Sequence, residues 1–294
     1  MLSIRKILLC GVPLVPLLLV GLCASVDAAG LAVSPGGLMI QDVPLGEVVD
    51  VHAVSRTGLT IYNRDNAPHT YTLSAHKPSM VGNRRWEKGY LEIPDPGWCR
   101  FDKEEVTIQA NGRAFVKIYI EIPDKETYRN QHWVVALGVL GKSGPGAGFA
   151  LGVYVRMQIE TAVSEAPGPS PDGALAFKPA TVILATGEQA RKRIVTIYNN
   201  TSEPRNYTVS SLFKQDKTEY RTYLSASCKA MPGTVAWPRA KREIRIAPFS
   251  CQPLPLWLDL SKSRVPEGGR GEDVLLLTPD QGLPGFVRVR IEMK

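Results

Sequence analysis

The sequence predicts an all-β protein of two tandem β-sandwich domains that follow a short export signal. Three observations lead to this prediction. A sixteen-residue segment, 59–74, recurs without a gap at 195–210, with eight identical positions. Glycine and proline are frequent, at 26 and 23 of 294 residues, and helix-periodic runs are few. The repeat spacing of 136 residues is too long for a solenoid unit and matches a whole domain.

Each copy of the repeat is predicted to be a β-strand, a polar turn and a second β-strand that together form a hairpin. The flanking Thr, Ile, Tyr and Val residues suit a pleated, half-buried surface. The Asn, Asp, Ser and Pro residues between them suit a turn. Since 294 residues are expected to hold about two domains, the duplication and the length agree.

The N-terminus, residues 1–28, has the pattern of a secretory signal peptide. Arg5 and Lys6 precede an apolar run over 7–24, and small residues precede Ala29. We expect cleavage after Ala28 and a periplasmic or secreted mature chain with no later membrane span. Two alternatives stay open: an uncleaved run that anchors the chain, and lipid attachment at Cys23, against which Leu22 stands where a small residue is expected.

Domain one is predicted over residues 30–161. Its most regular segment is 114–122, where apolar and polar side chains alternate as in a strand with one face on a core. About seven short strands without a helical pattern between them describe a β-sandwich. Residues 162–173 are rich in proline and predict an extended, semi-rigid linker.

Domain two is predicted over residues 174–294 as a shorter copy of domain one. Residues 243–246 match 105–108, and 254–260 match 116–122. Pro253 and Pro255 restrict their strand to an edge. The predicted cores consist of inward-facing aliphatic residues. These are Ile61, Leu73, Val116, Ile118, Ile120, Val153 and Val155 in domain one, and Ile197, Val209, Leu256, Leu258 and Val289 in domain two.

Charge and histidine spacing argue against nucleic-acid binding and metal binding. The net charge is +7, and removal of the signal, with two basic residues and one acidic residue, leaves +6. Basic residues are scattered among acidic ones, whereas a nucleic-acid footprint clusters them. The four histidines have no metal-ligand spacing, and no Cys-x-x-Cys is present. We therefore expect no metal, no cofactor and no nucleic-acid partner.

The sequence predicts no catalytic residues. It has no Gly-x-Ser-x-Gly motif, and Cys99 with His132 lacks any characteristic spacing. The competing class is a hydrolase that uses the 86–102 loop, where Asp95 and Asp102 lie near aromatic side chains. Trp86, Tyr90 and Trp98 in that loop form either a ligand platform or, as we favour, a cover over one end of the sandwich.

Three cysteines remain after removal of the signal. A disulfide between Cys228 and Cys251 would close a loop that stabilises by about 3 kcal/mol through chain entropy, provided that their Cα atoms lie within roughly 7 Å. An exported chain meets an oxidising compartment, where such a bond persists. Cys99 is then expected to be a buried thiol.

Several motifs of domain one resemble a known family. These are Ile93-Pro-Asp-Pro96, a central strand that ends in Glu121-Ile-Pro-Asp124, and a closing strand with alternating apolar residues over 152–159. Together they resemble the first domain of the periplasmic pilus chaperones, whose two immunoglobulin-like sandwiches lend their last strand groove to an unfinished subunit. The resemblance covers residues 30–161 and implies an immunoglobulin-like fold.

The resemblance also implies roles for single residues. Arg156 falls where the family has its basic groove residue. Leu38 and Met39 stand where the family has a second, arginine anchor for the subunit carboxylate. Glu160 stands where the family has an arginine that ties the two domains together. The chain thus departs from the family pattern at two of these positions.

The function predicted from these observations is non-enzymatic binding or assembly, in the manner of a chaperone. An extended segment of another envelope protein, such as a pilin-like or secreted subunit, would add to a sheet edge beside residues 149–159. The predicted contacts are Phe149, Leu151, Val153, Val155, Met157 and Arg156. Two alternatives stay open: the strand is interior to its sheet, or the protein is a passive structural or adhesive component of the cell envelope.

Overall fold

The computed structural model describes residues 30–82, 88–142, 152–164, 175–186, 191–214, 225, 228–259, 261 and 270–292. It contains two all-β sandwiches, as predicted. The expected signal peptide and most of the expected linker lie outside the described residues. No described helix has the length and apolar composition needed to cross a bilayer.

Domain one contains twelve described strands and one short α-helix. The strands are β1 (Leu31–Ser34), β2 (Gly37–Val43), β3 (Val48–Asp50), β4 (Leu59–Asn63), β5 (His69–His76), β6 (Leu91–Glu92), β7 (Cys99–Phe101), β8 (Glu105–Ile108), β9 (Arg113–Val116), β10 (Ile118–Glu121), β11 (His132–Gly141) and β12 (Gly152–Thr161). The helix is α1 (Val51–Ser55), and single 3-10 turns span Pro78–Val81, Pro96–Trp98 and Glu126–Tyr128.

Two layers enclose the core of domain one. One layer consists of the short sheets β1-β4-β9 and β3-β10-β7, in which β9 and β10 follow each other along the chain. The other layer is the sheet β2-β12-β11-β5-β8, with β6 added beside β11. Aliphatic residues from both layers pack into one buried cluster.

Domain two repeats this plan with fewer described strands. They are β13 (Leu175–Lys178), β14 (Thr181–Ala185), β15 (Lys192–Asn199), β16 (Arg205–Ser211), β17 (Lys229–Ala230), β18 (Val235–Ala236), β19 (Glu243–Ile246), β20 (Ser250–Leu258), β21 (Arg270–Pro279) and β22 (Gly285–Glu292), with 3-10 turns at Leu212–Lys214 and Arg239–Lys241. The sheets are β13-β15-β20-β18 and β14-β22-β21-β16-β19. A second buried cluster fills the space between them.

The first segment of each domain crosses from one sheet to the other. In domain one, β1 pairs with β4, and β2 then pairs in parallel with β12 on the opposite layer. In domain two, β13 pairs with β15 and β14 pairs in parallel with β22. Each crossing occurs at a cis X-Pro bond, before Pro35 and before Pro179. The two domains therefore share their topology as well as their sequence repeat.

The repeated segment is an arch between the two layers, so the predicted hairpin is wrong. β4 pairs with β1 and β9, whereas β5 pairs with β11 and β8 in the opposite sheet. The fully buried Asn63 holds the arch: its Nδ2 donates to the carbonyls of Ala67, Ile108 and Gln109 at 2.7, 3.1 and 3.0 Å. In an arch these carbonyls have no hairpin partner strand, and the buried side-chain amide of Asn63 supplies their hydrogen-bond donor instead.

The same arch occurs in domain two. The Nδ2 of the buried Asn199 donates to the carbonyls of Glu203, Ile246 and Ala247 at 2.7, 3.2 and 3.1 Å. Its Oδ1 accepts from the backbone N–H of Thr201, as that of Asn63 does from Asp65. This shared bonding explains why the asparagine is identical in the two copies.

The predicted core residues are buried, with the exception of Val153, which is half-buried. The edge prediction for β20 fits the structure as well. Among the described strands, only β18 lies beyond β20, and it reaches Trp257 and Leu258 alone. Pro253 and Pro255 therefore occupy a stretch where no described neighbour needs their missing N–H groups.

Candidate functional site

The candidate binding edge is the first half of strand β12. On one side, β11 pairs with β12 over its whole length, from Gly152 opposite Leu140 to Glu160 opposite His132. On the other side, β2 begins only at Arg156, which lies opposite Gly37. Within the part of the chain that the structure describes, no strand pairs with residues 152–155 on that side. The backbone N–H and C=O groups of residues 152–155 that point away from β11 are therefore an edge to which a further strand can add.

The side chains of this open segment alternate between core and surface. Val153 and Val155 point towards the core of domain one, where Val155 is fully buried. Tyr154 lies on the outer face with 39% of its surface exposed. Its ring meets that of His76 edge-to-face at 5.8 Å, and the two rings crowd the place where a side chain at Gly138 would lie. The outer face thus carries a packed aromatic pair beside the open edge.

The structure divides the predicted contact residues between open and closed parts of the strand. Phe149 and Leu151 lie outside the described residues. Arg156 is half-buried on the outer face, at the boundary between the two parts. Met157 is buried in the core of domain one, and its stretch of β12 pairs with β2 as well as with β11. The partner-binding role of all these residues stays a prediction.

The closed half of β12 ends in a buried charge cluster between the domains. Glu160, 3% exposed, forms an ion pair with the fully buried Arg288 of β22. Arg288 Nε also donates to Glu160 Oε2 at 2.9 Å, which makes the pair bidentate. Its Nη1 donates to Glu272 Oε2 at 2.8 Å. One arginine of domain two therefore meets one carboxylate from each domain.

Neutral side chains satisfy the remaining oxygens of these carboxylates. Tyr90 Oη donates to Glu160 Oε1 at 2.6 Å, and Gln41 Nε2 donates to Glu160 Oε2 at 2.9 Å. Ser225 bridges the domains, since its hydroxyl donates to Gln41 Oε1 at 2.8 Å and its N–H donates to Glu272 Oε2 at 2.9 Å. Buried charges that are paired and hydrogen-bonded in this way hold their partners in one arrangement.

The buried environment shifts the pKa values of these groups. Burial alone would raise the pKa of Glu160, but the Arg288 guanidinium and its hydrogen bonds lower it to about 2. Burial also lowers the pKa of His132 to about 4, because the nearby Glu160 opposes this effect only in part. For Arg288, burial acts to lower the pKa, and the two carboxylates more than reverse this effect. At neutral pH, Glu160 and Arg288 are therefore charged and His132 is neutral.

An aromatic stack lies beside the charges. The rings of His132 and Phe286 are stacked at 3.8 Å with an interplanar angle of 11°, and Tyr90 contacts Phe286 at 5.1 Å. Tyr90 and Phe286 belong to a third apolar cluster, separate from the two domain cores. The buried ion pairs and this apolar cluster together hold domain two against the outer face of β11 and β12.

Glu160 occupies the position at which the resemblance implied an arginine between the domains. In the structure Glu160 itself lies at the interface, and domain two supplies the arginine, as Arg288. The sequence signal for Arg288 is weak. The alternation Val287-Arg-Val-Arg290 predicts an ordinary strand with a solvent-exposed outer face. Nothing in the sequence indicates that another domain covers this face.

The residues considered for catalysis have structural roles. Asp95 Oδ1 accepts from the N–H of Gly97 in a 3-10 turn, and Asp102 Oδ1 accepts from the N–H of Lys117. Cys99 is buried, and burial together with the nearby Asp95 raises the pKa of its thiol to about 12, which makes it a poor nucleophile. His132 lies in the interdomain stack instead. Within the described residues, no group of His, Cys, Asp and Glu is arranged to hold a metal ion.

The aromatic residues of the 86–102 loop serve different regions. Trp98 packs on Tyr128 and Trp133 at ring distances of 5.0 and 5.6 Å, which covers one end of the domain-one core as we favoured. Tyr90 instead lies at the domain interface, and Trp86 is outside the described residues.

The predicted disulfide remains untested. Cys251 is exposed near the start of β20, Cys228 is half-buried just before β17, and the structure contains no bond between them. Cys99 is buried, as expected. Thiol counting on the unfolded, unreduced protein decides the question, because a bridge leaves one thiol of the three.

Comparisons with known proteins find similar solved structures only. No family model matches the sequence, and no curated protein matches it. Solved structures similar to the chain include a protein of unknown function from Porphyromonas gingivalis W83, with a TM-score of 0.33 and 14% identity over 90% of this chain and 99% of that one. The periplasmic chaperone SfaE gives 0.31 and 11% over 88% and 99%, and the E. coli chaperone DraB gives 0.31 and 11% over 90% and 98%.

The expected resemblance to periplasmic pilus chaperones is thereby confirmed as a distant likeness. The class that the structure itself defines is a protein of two β-sandwiches, joined by a buried ion cluster, with one partly open sheet edge in domain one.

Proposed function

We propose that this protein is a non-enzymatic, exported binding or assembly protein of chaperone-like type. It engages an extended segment of an envelope or pilus-type protein by β-strand addition. The observation that carries the proposal is the open edge of β12 at residues 152–155, next to the half-buried Arg156. An added strand pairs the backbone groups that β2 leaves uncovered there.

The chemistry of this edge favours a particular kind of segment. Val153 is only half-buried and leaves apolar surface on the inner side, so the partner is expected to present aliphatic side chains at alternate positions. On the outer side it meets Tyr154. Arg156 follows directly and suits an acidic side chain or a terminal carboxylate, since a guanidinium pairs with a carboxylate through two hydrogen bonds.

The closed half of the strand supports binding at the open half. Residues 156–161 are held by β11, β2 and the interdomain cluster, so that the edge is an extension of a fixed strand. A preorganised edge loses little conformational entropy when a partner adds to it.

Photocrosslinking tests the proposal in the cell envelope. A benzoylphenylalanine side chain is placed at Tyr154, and Phe115 serves as the control position because it is also an exposed aromatic of domain one but lies in the other layer. We expect a defined crosslinked partner from position 154 and none from 115. The same partner from both positions, or none from 154, would contradict strand addition at this edge.

Proline substitution then separates backbone pairing from side-chain contact. Successive N–H groups of a strand point to opposite sides, so that of Val153 and Tyr154 one bonds β11 and the other faces the open edge. We expect that one of Val153→Pro and Tyr154→Pro keeps the fold by circular dichroism and loses the crosslink. Undiminished recovery of the partner by the folded variant would rule the idea out. Thr107→Pro, on the opposite edge strand β8, controls for nonspecific effects.

Arg156→Ala measures the charged contribution. Loss of a charged hydrogen bond of about 1.5–3 kcal/mol predicts binding weaker by about tenfold or more. A passive structural or adhesive component would show no partner in either experiment. The hydrolase alternative is addressed by Asp95→Ala and Asp102→Ala, since an activity lost in a folded variant would overturn the non-enzymatic proposal.

A further inference from the structure

A cavity of about 260 Å³ lies between the two domains. Domain one lines it with Leu91 of β6 and with residues 130–132. Domain two lines it with side chains of β13 and with the loop before β22. His132 lies opposite Glu160, at the other end of β12 from the open edge, so the proposed strand addition does not use this space. We call it the interdomain cavity.

The wall of the interdomain cavity is mostly apolar. Its large side chains are Leu91, Leu175, Phe177, Leu283 and Pro284. Leu283 is 59% exposed, which places it at the mouth of the cavity. None of the described lining residues carries a charge at neutral pH. A charged ligand would therefore lose its hydration without gaining a counter-charge, whereas a neutral apolar ligand gains by leaving water.

His132 is the polar side chain of this wall whose hydrogen bonding is incomplete. It is 7% exposed, and Phe286 stacks on one face of its ring at 3.8 Å. Within the described residues, neither ring nitrogen has a hydrogen-bond partner. Neither nitrogen is enclosed by protein, in contrast to the Nδ1 atom of His52. Because His132 lines the interdomain cavity, these nitrogens are open to a ligand in it.

A hydroxyl group is the ligand group that matches this imidazole. The neutral ring has one donor and one acceptor, and to bury them without partners costs free energy. The nearby Glu160 does not relieve that cost, since its oxygens accept from Arg288, Tyr90 and Gln41. A hydroxyl can donate to the unprotonated nitrogen or accept from the protonated one, and it needs no counter-charge.

The volume of the interdomain cavity limits the ligand to a single ring. An apolar cavity of about 150 Å³ in another protein holds benzene. The interdomain cavity is larger and has one polar side, so a ring with a hydroxyl and a small substituent fits. An aromatic ring is favoured over an aliphatic chain because it can pack on the ring of Phe177.

Close packing holds the walls of the interdomain cavity in place. A Cβ atom at Gly285 would lie 2.7 Å from the ring of Phe177, and one at Gly89 would lie 2.5 Å from the ring of Phe286. Walls packed this closely behind the cavity resist rearrangement, so the space is present before a ligand enters. Preformed, mostly apolar spaces at domain interfaces are a preferred location of small-molecule sites.

We propose that the interdomain cavity binds a small neutral phenol, with one aromatic ring and one hydroxyl group. The ring lies among the apolar side chains of both domains, and the hydroxyl forms a hydrogen bond with His132. The ligand is a free small molecule and contacts both domains. Since the site lies at the far end of β12 from the open edge, it goes beyond the proposed function.

Matched probes test the ligand chemistry on the full mature protein. p-Cresol carries the hydroxyl, toluene lacks it, and benzoate replaces it with a charge. Affinities come from ligand-observed NMR titrations. We expect p-cresol to bind at least fivefold more tightly than toluene and at least tenfold more tightly than benzoate.

Two variants test the location of the site. Leu283→Trp fills the mouth from an exposed position, so it should weaken both p-cresol and toluene at least tenfold. His132→Phe keeps the stack on Phe286 and removes the hydrogen bond. It should reduce the affinity for p-cresol to that for toluene, while toluene stays within twofold of wild type. A merely structural role of His132 would move both probes together.

Matched controls carry the same substitutions outside the interdomain cavity. Ile183→Trp changes an exposed apolar residue of domain two, and His69→Phe changes an exposed histidine of domain one. Both should leave the affinities within twofold of wild type. Circular dichroism and urea denaturation verify that each variant is folded.

Four results would overturn the inference. The first is no binding of p-cresol at millimolar concentration, which would mean that the cavity holds water only. The second is p-cresol binding that Leu283→Trp leaves unchanged. The third is tighter binding of N-acetyltyrosinamide than of p-cresol, which would assign the cavity to a tyrosine of a partner protein. The fourth is binding that occurs only when residues 165–174 are replaced by a Gly/Ser linker, which would make that segment the occupant.

The proline variants of β12 separate this inference from the proposed function. A folded variant that loses the crosslinked partner should keep the wild-type affinity for p-cresol, because the open edge and the interdomain cavity lie at opposite ends of the strand.

Discussion

The last strands of the two domains, β12 and β22, carry matching residues that meet opposite surroundings. Val155-Arg-Met-Gln-Ile-Glu160 aligns with Val287-Arg-Val-Arg-Ile-Glu292, and in each strand the arginine is the first residue that pairs with the parallel strand. Arg156 is half-buried at an open edge, whereas Arg288 is completely buried under domain one. Likewise, Tyr154 is exposed where Phe286 is covered.

This difference shows that the position in the fold does not decide what an outer-face side chain does. The same strand register presents an aromatic residue and an arginine two positions apart in both domains. In domain two another domain covers them, and the arginine is matched by two carboxylates. In domain one the equivalent pair faces outwards beside the uncovered backbone. In domain one, therefore, the outer face of the last strand is not covered by the other domain.

The sharpest way to break the comparison is to replace both arginines by the same residue. Arg288→Met leaves Glu160 buried without its cation and leaves Glu272 with Arg290 alone, whose Nε lies 3.8 Å from Glu272 Oε1. We therefore expect a loss of about 3–5 kcal/mol in the free energy of unfolding. Arg156→Met should cost about 1 kcal/mol or less, because water still reaches that site. Urea denaturation measures both values.

A charge-free variant provides the control for this pair. Arg288→Met combined with Glu160→Gln and Glu272→Gln removes all three charges, and it should recover more than half of the stability that Arg288→Met loses. Equal losses for Arg288→Met and Arg156→Met would mean that the two strands are equivalent after all.

The buried asparagines of the arches should behave alike, in contrast to the arginines. Asn63→Ala and Asn199→Ala each leave three backbone carbonyls without their shared donor, and we expect each to cost about 2–4 kcal/mol of unfolding free energy. Asn66→Ala, at an exposed position of the first arch, is the control and should change stability by about 0.5 kcal/mol or less. A difference of several kcal/mol between the two arches would contradict their shared role.

The interface between the domains should weaken in acid. In the folded protein the pKa of His132 is about 4, below the ordinary value of 6.5, so the unfolded state binds the proton first. Stability is therefore expected to fall as pH drops from about 6.5 to about 4. Below that, protonation of Glu160, whose pKa lies near 2 in the folded state and at 4.5 ordinarily, continues the loss.

His132→Phe isolates the first of these effects, since phenylalanine keeps the stack on Phe286 and does not titrate. Urea unfolding as a function of pH should then show a shallower slope between pH 6.5 and 4 than wild type does. Below pH 4 the two curves should run parallel. An unchanged slope in the upper window would assign the acid sensitivity to other groups.

The smallest expected effect concerns β3 and α1 of domain one. Asp50 accepts from the N–H groups of His52 and Ala53 at the start of α1, and from Lys117. Asp50→Ala should loosen β3 and α1 locally and lower the melting temperature by only a few degrees. Hydrogen exchange should become faster at the amides of His52 and Ala53. The amides of domain two serve as the internal control and should not change.

The positions of the strands could be predicted from the sequence, whereas the pairing between strands could not. Alternation placed the inward residues Val116, Ile118 and Ile120 correctly, because a period of two depends on the strand alone. The arch at Asn63 was mistaken for a hairpin, since a polar turn between two strands has the same composition whether the strands share a sheet or not. Which edges are covered depends on contacts distant in sequence, such as β2 on β12.

The interface between domains was beyond sequence reasoning for a similar reason. Glu160 and Arg288 are 128 residues apart and sit on strands whose outer faces look solvated by pattern.

The crossing of the first segment between the layers has a consequence for the order of folding. Domain one is closed by β2 on β12, and the contact between Gln41 and Glu160 joins residues that are 119 positions apart. Strand β2 therefore pairs only after β12 has been made. A chain synthesised from its N-terminus holds an incomplete sandwich until residue 156 appears. Closure of so long a loop slows folding. Until then β2 lacks its pairing strand, and the nascent chain is open to wrong pairing at β2. The later partner of β2 is β12, the strand that carries the open edge.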